Sequence, residues 1–323
     1  MNNEHAHDQH EFHQRWGHLQ NPHVRGLAWL LDAPDLLDAE AQKWQGKVAS
    51  LHGLIEPSQL ATFLARLDAN PEPLVSTLNI TNHTRLGRYA ESLLAFYLHH
   101  RGWLAAHGLQ VRDERHTVGE FDFLVRLEEQ LVHWEFATKF YLLESSGAGH
   151  DADYFVGPNL ADTLGAKMHK IFDRQLHLAN HPAAAKFLPA SVSMAQALVK
   201  GWLFYRRSEN ASRLIDGLHP AHCRGFWCTC EELRTSDDNS LRYMVLPRLA
   251  WLAPATCSVD ETMTLPALHA QLRQQFVHDT MPVMVACMQV MGNGAREVER
   301  GFVVPDDWRT RAGQRIGLNR PKP

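Results

Sequence analysis

Two alternating runs separated by a short acidic turn, at residues 119–126 and 131–142, predict a β-hairpin. In the first run, Phe121, Phe123 and Val125 fall on one face, and Glu120, Asp122 and Leu124 on the other. The second run is rich in β-branched and aromatic residues. There His133, Glu135, Ala137 and Lys139 share a face opposite Val132, Trp134, Phe136, Thr138 and Phe140. Pairing the runs points Asp122, Glu135 and Lys139 into one place. Carboxylates and an ammonium on strands that otherwise read as buried are costly unless they find a metal or a partner. On an edge hairpin the same residues would be a solvated face.

Helical spacing dominates the flanks. Leu86–His100 carries a broad apolar face of Leu86, Tyr89, Ala90, Leu93, Leu94 and Tyr97, with Glu91 at its border. Residues 159–179 predict a second helix, with the apolar stripe Leu160, Leu164, Met168, Ile171, Phe172 and Leu176. On it Lys167, Lys170 and Arg174 recur at i, i+3 and i+7 as a basic stripe. Such a stripe is usually a solvated face, and beside a site for an anionic ligand it becomes a contact surface.

Upstream, Val24 opens a helix with Leu27, Ala28, Leu30 and Leu31, and residues 34–44 read as its continuation. Another helix begins at Pro57 with Leu60, Phe63, Leu64 and Leu67, and Asn70-Pro71-Glu72-Pro73 breaks the pattern. Before them lies a polar arm containing His5, His7, His10, His13, His18 and His23. Past Pro189, strands are expected at 197–205, 224–229, 243–252 and 282–289, with a helix at Leu265–Phe276. The first completes the hairpin's sheet; the others extend it or form a second. The tail, 302–323, has five Lys/Arg (Arg309, Arg311, Arg315, Arg320, Lys322) against Asp306 and Asp307, a local +3. The resulting organisation is a His-rich arm (1–23), a helical segment (24–80), a core (81–206) and a β-rich region with a basic tail (207–323).

At 323 residues, 45% hydrophobic and 21% charged, the chain is of ordinary globular composition and long enough for a substantial core. A net charge of −4 means that any nucleic-acid surface is a local patch. No apolar run of 18 residues and no apolar leader at Met1 are found, so a cytoplasmic protein without membrane spans is expected. Five cysteines give no disulfide framework. Cys223, Cys228 and Cys230 beside His222 lack the paired spacing of zinc folds, so buried free thiols are expected. The glycine-rich stretch 144–153, with His150, Asp151 and Asp153, reads as a loop beside the hairpin.

One ordered set of motifs carries a resemblance. Leu86-Gly87-Arg88-Tyr89-Ala90-Glu91 opens a helix, GEFDFLV (119–125) forms a strand, Glu135 and Lys139 lie on the next strand, and Gln175 lies in the following helix. This order resembles the PD-(D/E)XK nuclease superfamily, in its branch with a glycine–glutamate motif on the first helix. GWLFYR and LPRLAWLAP also look like an uncharacterised bacterial family assigned to that superfamily. The resemblance implies an α/β fold with a restriction-endonuclease-like core. In it a mixed sheet flanked by helices follows α-β-β-β-α-β order, here with N-terminal helices and a β-rich C-terminal extension. It implies Mg²⁺- or Mn²⁺-dependent hydrolysis of DNA or RNA. Asp122 and Glu135 would hold the metal with Glu91 in support. Lys139 would act on the attacking water or the transition state, and Gln175, Lys167, Lys170 and Arg174 would contact substrate. The superfamily pattern places the lysine two residues after the glutamate, where this chain has Ala137. Lys139 keeps the face but lies roughly 7 Å further along the strand. The alternative is a catalytically inactive nuclease-fold protein that binds nucleic acid or a protein partner.

Overall fold

The computed structural model describes residues 7–78, 85–114, 116–144, 152–208, 215–233 and 240–319. His5, His150, Asp151, Arg320 and Lys322 lie outside the described residues.

Five helices precede the sheet: α1 (His7–Trp16), α2 (Pro22–Asp32), α3 (Pro57–Ala69), α4 (Glu72–Val75) and α5 (Leu86–His100). α2 starts where it does because the Asn21 side chain accepts the His23 and Val24 amides, with Pro22 in the first turn. It buries Val24, Leu27, Ala28, Leu30 and Leu31. Two expectations fail in this region. The polar arm is, from His7 on, the helix α1, which buries Phe12 (7% exposed) and Trp16 (3%) in the main core. Those two apolar residues, four apart, suffice to anchor one face. The helix expected over 34–44 is instead irregular, ending in a short 3-10 turn, Gln42–Trp44. Here the Leu36 amide donates to the Val199 carbonyl of β5 at 2.9 Å and Leu37 bridges Leu218 outside the sheet, so extended pairing rather than a helix holds the consecutive leucines.

The remaining elements are β1 (Leu104–Asp113), β2 (His116–Leu127), β3 (Gln130–Leu143), β4 (Phe155–Val156), α6 (Leu164–Asp173), β5 (Val192–Arg206), β6 (Cys223–Thr229), α7 (Cys230–Leu233), β7 (Arg242–Val245), β8 (Thr256–Ser258), α8 (Leu265–Phe276), β9 (Val283–Met291), β10 (Gly294–Val304) and α9 (Trp308–Asn319). All the strands belong to one ten-stranded mixed sheet, with main order β1-β2-β3-β5-β6-β10-β9-β7. β4 pairs with β3 and β8 with β10. The central strands β3, β5, β6 and β10 are parallel, and the outer pairs are antiparallel. The C-terminal strands thus extend the first sheet. A parallel centre must be covered on both faces. On one side Trp134, Trp202 and Trp227 pack with α1, α2 and α5. On the other, Ala137, Tyr141, Val199 and Leu203 meet Leu164, Met168 and Ile171 of α6.

Three further boundaries differ from expectation. The strand expected at 243–252 stops at Val245, because Pro247 has no amide to donate and a 3-10 turn, Arg248–Trp251, follows. The helix expected at 159–179 is the shorter α6, whose start is set by the Thr163 side chain accepting the Ala166 amide at 3.2 Å. A 3-10 turn, Gln175–Asn180, follows it. The tail is regular as far as Asn319: residues 302–304 finish β10 and α9 follows, with Trp308 fully buried. Three of its described cations have partners within the chain: Arg309 on Glu144 at 3.0 Å, Arg311 on Asp307 at 3.1 Å, and Arg315 on the Ala161 carbonyl at 2.6 Å.

Cys223, Cys228 and Cys230 are buried and form no disulfide, and His222 pairs with the Tyr205 hydroxyl at 2.7 Å. Among the described residues no helix is long and apolar enough to cross a membrane.

Candidate active site

The site forms where the β2–β3 ladder ends. Pairing runs from Leu127–Gln130 up to Phe123–Trp134 and stops one residue short of Asp122. At that point an Asp122 carboxylate oxygen accepts the Phe136 amide at 3.0 Å. A side chain has replaced the neighbouring strand as acceptor, so β2 is free to part from β3. Simple alternation fails here. Phe123 and Val125 face the main core as expected, but Phe121 packs with Leu124, Leu131 and Leu178 in a separate cluster. Gly119 lets the turn after α6 press against β2, since a Cβ there would lie 2.9 Å from a Leu178 methyl. That turn carries Gln175, whose amide nitrogen donates to the Glu135 carboxylate.

Glu91 projects from α5, and its carboxylate pairs with His107 Nε2 at 2.8 Å. Glu91, Glu120 and Asp122 each offer an oxygen, and these oxygens all lie within 4.8 Å of one another. The expected metal set was Asp122, Glu135 and Glu91. Glu91 and Asp122 do converge, but the third member of the group is Glu120. The alternation that puts Glu120 and Asp122, at i and i+2, on one face of the strand is the signal in the sequence for its inclusion.

Glu135 stands behind this group, only 4% exposed. Burial raises its carboxyl well above the usual range, and the charge of Asp122 raises it further; Lys167 and Lys170 oppose both. Asp122 is also raised, first by burial and then by the charge of Glu91, while the Phe136 amide holds it down. The metal-free protein therefore keeps a proton in this pair that a divalent cation would displace. The neighbouring His133 is fully buried (0% exposed), with Nε2 3.8 Å from Glu135 Oε2. Burial lowers its pKa to about 4, so the ring is neutral.

Lys139 is half-buried; burial and then the charge of Lys167 push it down to about 8, while Asp162, Glu135 and Asp122 hold it up. The basic stripe is shorter than expected. α6 ends at Asp173, and Arg174 adopts a non-helical conformation (φ −129°, ψ −58°) at its exposed end. The charges of Lys167 and Lys170 on α6 reach Glu135, while Arg174 follows the end of the helix.

These features define a mixed α/β protein whose sheet carries a partly buried acidic centre beside a basic helix. The chain belongs to the family described as a domain of unknown function, DUF1853, whose model matches residues 25–304, from α2 to the end of β10. No curated protein and no solved structure matches it.

Proposed function

We propose that this protein is a metal-dependent nuclease that hydrolyses phosphodiester bonds of DNA or RNA. The observation that carries the reading is the meeting of three carboxylates from α5 and β2 beside the buried Glu135–Gln175 pair. Support also comes from chain order, since α5, β1, β2, β3, α6 and β5, with only the two-residue β4 added between β3 and α6, follow the α-β-β-β-α-β sequence of the PD-(D/E)XK core. The donor set suits Mg²⁺ or Mn²⁺, which take oxygen ligands. Glu91, Glu120 and Asp122, backed by Glu135, would hold the ion. When bound, the ion lowers the pKa of water and offsets charge on the scissile phosphate. Gln175 fixes the direction of the Glu135 carboxylate. Lys139 and Lys167 bring ammonium groups toward the same carboxylates, where they would neutralise charge developing on phosphate oxygens. Lys170, exposed on α6, would contact the nucleic-acid backbone. Ala137 in the usual lysine position favours the second reading, an inactive relative that binds nucleic acid or a protein partner.

The test is cleavage of single- and double-stranded DNA and RNA with Mn²⁺ or Mg²⁺. Activity is expected, abolished by EDTA and by Asp122→Asn. Folded protein that cleaves none of these with either metal supports the inactive reading.

A further inference from the structure

The all-oxygen group of Glu91, Glu120 and Asp122 leaves His133 unused. This imidazole lies on β3 with both ring nitrogens buried and no hydrogen-bond partner. Glu135 Oε2 lies beside it, while the Glu135 carboxyl also faces that of Asp122. A buried imidazole with neither nitrogen paired carries a free-energy cost that a bound species would relieve. The Gln175 amide nitrogen holds the other oxygen of Glu135, so Oε2 is the one left toward His133. The edge-on contact of Phe121 with His133, at 4.8 Å between ring centres, packs the imidazole in place.

We propose that His133 Nε2 and Glu135 Oε2 form a second cation position. It takes a first-row transition-metal ion such as Mn²⁺, Co²⁺ or Zn²⁺ and leaves Mg²⁺ to the all-oxygen group. The 3.8 Å between the nitrogen and the carboxylate oxygen accommodates one ion at about 2.1 Å from each. An imidazole nitrogen is a common metal ligand, and nitrogen donors favour first-row transition ions over Mg²⁺. Because it lies next to the proposed nuclease centre, this position rests on that reading for any catalytic use, but not for binding itself.

Titration calorimetry and electron spin-echo modulation of bound Mn²⁺ test the proposal on the full chain. The wild type should bind two Mn²⁺ but one Mg²⁺, and the Mn²⁺ signal should show coupling to a directly bonded imidazole nitrogen. His133→Phe keeps a ring against Phe121; it should lose one Mn²⁺ and the nitrogen coupling while still binding Mg²⁺. If that variant does not fold, His133→Gln, which keeps a polar side chain, should lose the same imidazole signal. A single Mn²⁺ without nitrogen coupling in the wild type overturns the proposal. Coupling that persists in a folded His133 variant also overturns it and assigns the nitrogen elsewhere, with His107 beside Glu91 the nearest alternative. Two Mn²⁺ with imidazole coupling in a protein that cleaves nothing upholds this position and removes the nuclease reading. Cleavage by a protein holding one uncoupled Mn²⁺ does the reverse.

Discussion

Asp122 and Glu135 are carboxyls whose folded surroundings favour the neutral form. A carboxyl raised above its unfolded value binds its proton more tightly in the folded state. The stability it contributes is present below the ordinary carboxylate range and is lost as pH rises through the folded value. The metal-free protein should therefore lose stability as pH climbs out of the carboxylate range, until both groups have ionised. Glu135→Gln is neutral throughout, so its melting temperature in EDTA should fall less over that range. The same variant should bind Mn²⁺ far more weakly, because an amide lacks the charge a hard cation needs. An unchanged pH profile and unchanged Mn²⁺ affinity would show that Glu135 is not part of the centre. Lys139→Ala removes a positive charge near the cation, so metal affinity should hold or rise. Turnover should drop by on the order of 10²-fold if that ammonium stabilises the transition state. Full activity in Lys139→Ala, with loss in Lys167→Ala, would move the role to α6.

At the scale of elements, α6 and α1 each support a measurable expectation. Reversing Lys167 and Lys170 to Glu should weaken nucleic-acid binding and reduce its dependence on salt by about one unit of slope per lost phosphate contact. Arg174→Glu should do less, because α6 ends before it. Anisotropy titrations over a range of salt read both. On α1, Trp16→Ala removes a buried ring and the indole's hydrogen bond to Asp32 at 2.7 Å. A loss of about 3–5 kcal/mol in denaturant unfolding is expected. A surface arm would show almost none. The elements legible in the sequence were those with clean periodicity: α5, the β2–β3 hairpin, β5 and α8. β10 was missed because Glu297 and Arg300 look like solvent-facing charges. In the fold both are fully buried, paired at 2.5 Å, with the guanidinium 4.4 Å from the centre of the Trp202 ring. β1 was missed because its sequence, LAAHGLQVRD, mixes small and polar residues without clear alternation. At the site, the convergence of Glu91 with Asp122 was legible from motif order. The face shared by Glu120 and Asp122 was legible from alternation, but the meeting of all three carboxylates was not, since it depends on how α5 packs across β2 where the β2–β3 ladder stops.

Across the whole molecule, the sheet continues past residue 206 without a seam. β5 pairs with β6, and indole hydrogen bonds tie Trp202 to the Leu252 carbonyl and Trp227 to the Leu143 carbonyl. Tryptophan fluorescence and far-ultraviolet dichroism should therefore report one coincident unfolding transition. Separate midpoints would show that the C-terminal strands unfold on their own. The same closure has a consequence for synthesis. His13 on α1 bonds to the Glu297 carbonyl on β10, 284 residues away, and Arg25 on α2 reaches the Pro254 carbonyl, 229 away. Contacts this remote in sequence make folding slow. On the ribosome, at about 5–20 residues per second, the open side of β6 waits on the order of ten seconds for its partner β10 to emerge. During that interval the edge of a mostly buried, apolar strand is unprotected, and a nascent chain halted before residue 304 should be readily digested by protease and captured by chaperones. The finished chain should resist both.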